Sequence, residues 1–360
     1  MACAERWLTN REYIAGFNRR GMQLRVPLSG SLDLTHRCNL RCVHCYLGGQ
    51  SERCKLQDRE MDTRQILSVV DEIAEAGCLF LLITGGEPLL REDFPDIYSH
   101  IKRKGLLVTV FTNGTVITDR ILALFQALPP HVVEISLYGA TSQTYERITG
   151  ISGSYRRCLD GVKRLLEGKV RVRLKTILMT LNRHEFVDIE NMARAFGVKF
   201  RFDAAIFPCV NGDKRPLNLR VAPSEAIEKE FSDKERARSW KDYNENRHGR
   251  SAPGRLYHCG AGLTGFHVDA YGTLKPCLMS SNIAFDLSRG TFLSGWNGII
   301  STIRDRKARR GFACNKCTKQ DLCGYCPAFF ELENGAEDIP SEYLCAMGNC
   351  RLQQIHAISA

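Results

Sequence analysis

From Ser31 to about Pro208 the chain alternates short apolar runs with amphipathic stretches, the pattern of strands joined by helical crossovers in a parallel sheet. The runs are Ser31 to Thr35, Leu79 to Thr84, Leu106 to Phe111, Val132 to Leu137, Val170 to Met179 and Val198 to Ile206, which predicts six strands. After the first, Asp62 or Thr63 can cap a helix whose buried stripe is Ile66, Val69, Val70 and Ile73, and Gly77 can close it. The next crossover repeats this logic with Phe94, Ile97 and Ile101, a basic end at Lys102, Arg103 and Lys104, and Gly105. Five crossovers in about 180 residues fit a barrel-like sheet or an open doubly wound one, and periodicity does not separate them. In both, chemistry sits at the C-terminal ends of the strands. Pro223 to Arg250 is charged and reads as helix and linker, and the eight cysteines beyond it lie among Gly, Pro and polar turns, which suggests a second domain built on metal.

Composition sharpens this picture. No apolar run nears the roughly 18 residues of a membrane span, and Met1 to Arg6 lacks the apolar stretch of a signal peptide, so the expected setting is the cytoplasm. In a reducing compartment, 16 cysteines are better explained by metal than by disulfides. A net charge of +10 suggests an acidic partner, which could be nucleic acid, an acidic peptide or an anionic small molecule.

The first cysteine group follows the first strand: Cys38-Asn39-Leu40-Arg41-Cys42-Val43-His44-Cys45. Three thiolates at these gaps can converge on one iron-sulfur cluster and leave one iron without a protein ligand, an open position for catalysis. A zinc site completed by His44 or His36 is the alternative, but zinc ligands usually come as two pairs. The pattern resembles the signature of the radical S-adenosylmethionine enzymes. That resemblance implies a 4Fe-4S cluster whose fourth iron is chelated by the amino and carboxylate groups of S-adenosylmethionine, with His44 in the place of an aromatic residue that lies against the adenine.

Other segments carry the resemblance further. Thr84-Gly85-Gly86-Glu87-Pro88, at the end of the second strand, is similar to the family's motif for the methionine amino group. Glycines there admit close backbone approach, and Glu87 is an acceptor suited to an ammonium. Thr112-Asn113-Gly114 and Ser136-Leu137-Tyr138-Gly139 leave the third and fourth strands. Asn113 and Ser136 thereby resemble positions near the ribose and carboxylate in relatives, although Asn113-Gly114 also suits a plain turn. Tyr145-Glu146-Arg147, with Gly150, Gly153 and Ser154-Tyr155 after it, resembles a segment whose arginine, here Arg147, pairs with the methionine carboxylate; an exposed helix arginine is the alternative.

The C-terminal set, Cys259, Gly272, Cys277, Cys314, Cys317, Cys323, Cys326, Cys345 and Cys350, resembles the SPASM extension, which binds two auxiliary 4Fe-4S clusters. The resemblance implies that Cys314, Cys317, Cys323 and Cys345 hold the farther cluster and that Cys259, Cys277 and Cys326 hold the nearer. Two departures matter: the gap between Cys323 and Cys326 is two where three is commoner, and no second cysteine closely follows Cys259. The nearer cluster therefore keeps an open iron or is closed by Cys350. Taken alone, the paired gaps of two also fit a zinc ribbon. Of the remaining cysteines, Cys78 and Cys158 read as packing residues and Cys3 and Cys54 have no assigned role. Cys209 is a candidate hydrogen-atom donor, and Asp203 is a candidate acid or base at a strand end.

The implied fold is α/β: a partial (β/α)6 TIM-like barrel over 31–220 after an N-terminal segment 1–30, a linker helix over 221–250, and a small iron-sulfur domain over 251–360. The implied cofactors are three 4Fe-4S clusters and S-adenosylmethionine, with an electron donor such as flavodoxin or ferredoxin. Enzymes with this extension mostly act on peptides and proteins, so the first expectation is peptide maturation by radical crosslinking or oxidation. The others are oxidation or decarboxylation of a small molecule such as a tetrapyrrole intermediate, and a zinc-rich nucleic-acid adaptor. Thirty residues before the first strand are too few for a winged helix, so a leader-bearing peptide would need a separate recognition protein or the basic surface. Arg304 to Arg310 is a candidate docking patch or a solvated helix face. Clusters with three, three and four thiolates would lower the net charge to about +6, which weakens the nucleic-acid reading.

Overall fold

Nine strands form one sheet in the order β6-β5-β4-β3-β2-β1-β7-β8-β9. The structure is a computed structural model that describes residues 9–246 and 255–358. The first six strands are β1 (Ser29–Thr35), β2 (Phe80–Gly85), β3 (Leu107–Thr112), β4 (Val132–Ser136), β5 (Val172–Ile177) and β6 (Lys199–Asp203), each parallel to the next. Their strictly sequential order is barrel winding; a doubly wound sheet reverses its order part-way. The barrel is partial, because β6 is an edge and β1 pairs with β7 (Gly265–Val268).

Beyond residue 250, where the sequence suggests a second domain built on metal, the sheet of the barrel continues. β7 runs parallel to β1, and the short antiparallel strands β8 (Thr273–Lys275) and β9 (Phe285–Asp286) continue the sheet. An uncovered β1 would expose a row of unpaired backbone groups, which β7 satisfies.

Fourteen α-helices are described: α1 (Asn10–Leu24), α2 (Gln50–Lys55), α3 (Thr63–Glu75), α4 (Phe94–Arg103), α5 (Asp119–Ala127), α6 (Ser142–Thr149), α7 (Ser154–Glu167), α8 (Phe186–Ala195), α9 (Pro223–Phe231), α10 (Lys234–Asn246), α11 (Phe292–Gly298), α12 (Gln320–Cys323), α13 (Pro327–Asn334) and α14 (Glu342–Ala357). Asp62 caps α3 in a reciprocal box with Gln65, and the predicted stripe Ile66, Val69, Val70 and Ile73 is buried. Strand residues alternate in role. Leu32, Leu34, Leu81, Ile83, Val108, Val110, Val133, Ile135 and Leu174 join the core beneath the helices, while Ser31, Asp33, Thr84, Phe111, Ser136, Lys175 and Arg201 line a central cavity.

The segment expected as a linker helix is two helices, of which α9 packs on α14. Arg220 fastens the barrel to the C-terminal region. It donates to both Glu333 carboxylate oxygens, at 2.8 and 3.1 Å, donates to the Ile206 carbonyl at 2.8 Å, and lies 4.4 Å from the Tyr343 ring centroid. Removing the guanidinium strands a largely buried carboxylate, so Arg220→Ala should cost about 3 kcal/mol in urea unfolding. An unchanged midpoint and slope would contradict that role. In the basic run at residues 304–310, Arg304 donates to the Cys259 carbonyl, Arg306 pairs with Glu337 and Arg309 with Asp338, while Lys307 and Arg310 are exposed.

Candidate functional site

A cavity of about 350 Å³ opens at the C-terminal ends of the barrel strands, and Cys38, Cys42 and Cys45 all line it. The loop that carries them is braced from outside. Arg41 and Val43 donate backbone N–H groups to the carbonyls of Thr149 and Ile148, at the end of α6. Burial raises Cys38 to about 11 and Cys42 well above the ordinary thiol value, and the neighbouring thiols add to both shifts while Arg53 opposes them. Three thiols grouped in this way become thiolates when a metal replaces their protons.

The end of β2 meets the loop closely. Gly86 N–H donates to the Thr35 carbonyl and Glu87 N–H to that of Arg37, both at 2.8 Å. A Cβ on Gly85 would stand 2.2 Å from the Thr35 oxygen, and one on Gly86 2.2 Å from the Arg37 oxygen, so packing against the cysteine loop demands both glycines. Both also line the cavity.

Glu87 departs from expectation. Its carboxylate is fully buried and accepts from Thr112 Oγ1 at 2.8 Å, from Asn113 N–H at 2.7 Å and from Leu89 N–H at 3.2 Å. It ties β2 to β3 and is not part of the cavity wall. Burial raises its pKa to about 7 against those three donors and Lys175. Since the unfolded carboxyl titrates near about 4.3, the folded one keeps a proton that the unfolded one loses between about 4.3 and 7. The stability of the protein relative to Glu87→Gln should therefore fall as pH rises through that window. Urea midpoints of both proteins from about pH 4.5 to 8 check this; a flat or rising difference would contradict it.

Asn113 lines the cavity, but its side chain is engaged: Thr115 donates to Oδ1 through N–H and Oγ1, and Nδ2 donates to Asn39 Oδ1 at 2.8 Å. Gly114 follows at φ +73°, so the segment is a turn as well as a wall. Ser136 is in the wall beside Tyr138, whose ring meets His44 edge-on at 4.5 Å. Burial lowers His44 to about 4, which leaves a neutral imidazole at pH 7. Arg147 is exposed on α6 and away from the cavity, the alternative kept open for it. Its segment serves the site through the backbone of Ile148 and Thr149 instead. Cys209 is 2% exposed and donates through Sγ to the Cys45 carbonyl at 3.3 Å; it buttresses the loop from behind and does not face the cavity. Asp203 is in the wall at the end of β6 and accepts from Ala205 N–H at 2.8 Å. Cys78 and Cys158 are buried packing residues, and Cys3 and the side chain of Cys54 lie outside the described residues.

Several wall residues had no sequence motif to mark them. Asp33, on β1, is fully buried; its Oδ2 lies 3.0 Å from His36 Nε2 and 3.7 Å from His267 Nε2, and Ser31 Oγ contacts His267 Nδ1 at 2.8 Å. Arg53 donates to the His36 carbonyl at 2.9 Å. Asp33 Oδ1, His44 Nδ1 and Arg53 Nε are buried with no hydrogen-bond partner, and all three residues line the cavity. Orphaned buried polar atoms of both kinds around three thiols fit a polar ligand set on a metal group.

The C-terminal thiols divide into two sets. Burial raises Cys314 and Cys323, and the charges of Cys345 and Cys317 add to both, with that of Cys323 adding to Cys314. Those on Cys277 and Cys326 come from Cys259, and on Cys326 also from Cys277, with Cys350 absent from the leading contributions. Cys323 and Cys326 thus feel different neighbouring thiols although only two residues separate them. Gly324 makes the turn at φ +73°, and buried Tyr325 between them donates to the Leu256 carbonyl at 2.8 Å. Among the described residues, no three His, Cys, Asp or Glu side chains converge as ligands of a single ion.

Residues 32–196 match the Radical SAM superfamily. The chain carries a radical SAM domain. It is an enzyme, and the domain implies a 4Fe-4S cluster and S-adenosylmethionine. Over 323 residues the chain is 25% identical to the AdoMet-dependent heme synthase of Methanosarcina barkeri, covering 82% of this chain and 90% of that protein. Over 319 residues it is 26% identical to the mycofactocin maturase MftC of Mycobacterium tuberculosis, covering 85% and 79%. The radical SAM domain and the strands beyond it superpose on Streptococcus suis SuiB bound to precursor peptide SuiA with a TM-score of 0.71, at 16% identity and over 96% of this chain and 83% of that one. That likeness is one of fold. No described helix is long and apolar enough to cross a membrane.

Proposed function

We propose that the protein is a radical SAM peptide maturase with two auxiliary clusters in a SPASM domain, oxidising or crosslinking a peptide at an unactivated carbon. In this reading Cys38, Cys42 and Cys45 hold the catalytic cluster. Cys314, Cys317, Cys323 and Cys345 hold the farther auxiliary cluster, and Cys259, Cys277 and Cys326 the nearer one, which keeps an open iron. When bound, the catalytic cluster and S-adenosylmethionine supply a 5'-deoxyadenosyl radical that takes a hydrogen atom from the substrate.

The chain's own residues bind, orient and exclude water. Backbone at Gly85 and Gly86 supports the methionine end, neutral His44 and Tyr138 offer ring surface for adenine, and Asp33 and Arg53 present the unpartnered acceptor and donor. Leu278 carries the oxidative part of the reading: it lines the cavity and directly follows Cys277, so the nearer auxiliary thiols abut the space where the substrate reacts. A centre there is placed to receive the substrate's second electron.

Relatives named as peptide enzymes, such as the mycofactocin maturase, favour a peptide substrate. The heme synthase relative, aligned over 82% of this chain, favours the second reading, oxidation or decarboxylation of a tetrapyrrole. Anaerobic incubation with S-adenosylmethionine, a reductant and either any short peptide encoded beside the gene or a porphyrin acid separates the two. Loss of about two mass units from the peptide, with 5'-deoxyadenosine formed, supports maturation. Turnover of a porphyrin acid with none of the peptide supports the second reading.

A further inference from the structure

The sheet ends at two edges, β6 and β9. β9 is two residues long, which blunts it, whereas β6 runs five residues in unbroken register with β5. The Asp203 carbonyl accepts from Leu178 N–H on the β5 side. By alternation along the strand, Lys199, Arg201 and Asp203 therefore bond to β5, and Phe200 and Phe202 turn their N–H and C=O groups outward. Among the described residues those four outward groups have no hydrogen-bond partner. Beside Phe200 lies a groove of about 700 Å³ walled by α8, α10 and α12. It shares no lining residue with the cavity of Cys38, Cys42 and Cys45, and it sits at the start of β6, whereas the expected cofactor seat is at the C-terminal strand ends. Its aromatic wall is Phe200, Trp240 and Tyr243, the last two meeting edge-on at 5.7 Å. Charge does not select the occupant: Arg236 pairs with Glu190, and the other lining cations, Arg194 and Lys199, are accompanied by Asp233, Glu235 and Asp321. The groove offers open backbone donors and acceptors beside an aromatic wall, and the complement of that is an extended peptide.

We propose that β6 is a docking edge on which an extended segment of the substrate peptide pairs as an added strand, with alternate side chains against Trp240 and Tyr243. The inference rests on the peptide reading and deepens it by naming where, and in what conformation, the peptide is held. Asp203, at the far end of the same strand, lines the reaction cavity. A segment paired along the five residues of β6 covers roughly 17 Å and so leads from the groove towards that cavity. Main-chain bonds make such docking tolerant of sequence, and the aromatic wall favours an apolar residue at every second position. A second copy of this chain is the other candidate for an open edge. The groove disfavours it, because α8, α10 and α12 leave room for one strand at about 4.8 Å from β6 and not for a second sheet carrying its own helices.

The test uses the full-length reconstituted holoenzyme and acetyl-Val-Thr-Val-Thr-Val-amide as the probe, beside the same peptide with every amide N-methylated, which keeps the side chains and loses the donors. By calorimetry the first peptide should bind at least about tenfold more tightly than the second. In hydrogen–deuterium exchange it should slow the amides of Phe200 and Phe202 at least about tenfold and leave those of Lys199 and Arg201, already bonded to β5, unchanged. Phe200→Pro removes one outward N–H and none of the ladder to β5, and should abolish the difference between the peptides. Should that variant fail to fold, Ser239→Trp, at an exposed position of α10, fills the groove. It should weaken the first peptide at least about tenfold while 5'-deoxyadenosine release without peptide stays at the wild-type rate. Equal or undetectable binding of the two peptides, or binding that leaves the Phe200 and Phe202 amides unprotected, overturns the docking edge. So does protection of those amides without peptide that rises with protein concentration, which assigns the edge to a second copy. Turnover confined to a porphyrin acid in the incubation above refutes the peptide reading itself, whereas a peptide matured with the β6 amides unprotected refutes only the docking edge.

Discussion

Cys42→Ala abolishes 5'-deoxyadenosine formation, a loss of at least about a thousandfold or roughly 4 kcal/mol of barrier. Cys42 stands between Cys38 and Cys45 in the sequence, and among the described residues no other thiol lines the cavity. Cys209 spends its Sγ on the Cys45 carbonyl. The variant should fold, because the loop is held through backbone bonds at Arg41, Val43, Gly86 and Glu87 that do not involve the Cys42 side chain. Iron content should drop by about four atoms per chain while the auxiliary iron stays. Deoxyadenosine release at the wild-type rate, or loss of all iron together, would show that the three thiols do not act as a separate centre.

The second large effect is selective. Cys326→Ala removes one of three thiols in the nearer auxiliary set and should cut product formation by at least about a hundredfold, while S-adenosylmethionine cleavage without product continues. Cys350→Ala should leave both within about twofold, because the proposed reading gives the nearer cluster to Cys259, Cys277 and Cys326 and leaves Cys350 without iron. Equal damage from the two variants would mean that Cys350 closes the nearer cluster. Product and 5'-deoxyadenosine measured in the same reaction by mass spectrometry distinguish these outcomes.

Much of this was legible along the chain because local rules dominate. The capping pair Asp62 and Gln65, the stripes of α3 and α4 and the five crossovers depend on near neighbours, and the gaps among Cys38, Cys42 and Cys45 lie within one short loop. The parallel pairing of β7 with β1 was not legible, since it joins residues more than two hundred positions apart and β7 is four residues long. Nor was the polar barrel interior. β5 reads Val-Arg-Leu-Lys-Thr-Ile and β6 reads Lys-Phe-Arg-Phe-Asp, a strict alternation that ordinarily means one face in water. Here Lys175, Arg201 and Asp203 line the cavity while Arg173 and Lys199 do not, and alternation alone does not tell a cavity from solvent. Where the side chains of Glu87 and Arg147 lie was not legible either. A motif gives the residue type at a position, whereas the direction of the side chain depends on its surroundings: Glu87 accepts from three internal donors, and Arg147 is exposed on α6.

The cavity residues make one strong joint demand: thiols of Cys38, Cys42 and Cys45 that hold a redox cluster, beside the unpartnered groups of Asp33, His44 and Arg53 that hold its ligand. The most direct test is to purify the wild-type protein without oxygen, add dithionite and S-adenosylmethionine, and quantify 5'-deoxyadenosine and methionine. The prediction is a brown protein with about eleven to twelve iron atoms per chain that releases the two in equal amounts. A colourless, zinc-filled protein that leaves S-adenosylmethionine intact would contradict it.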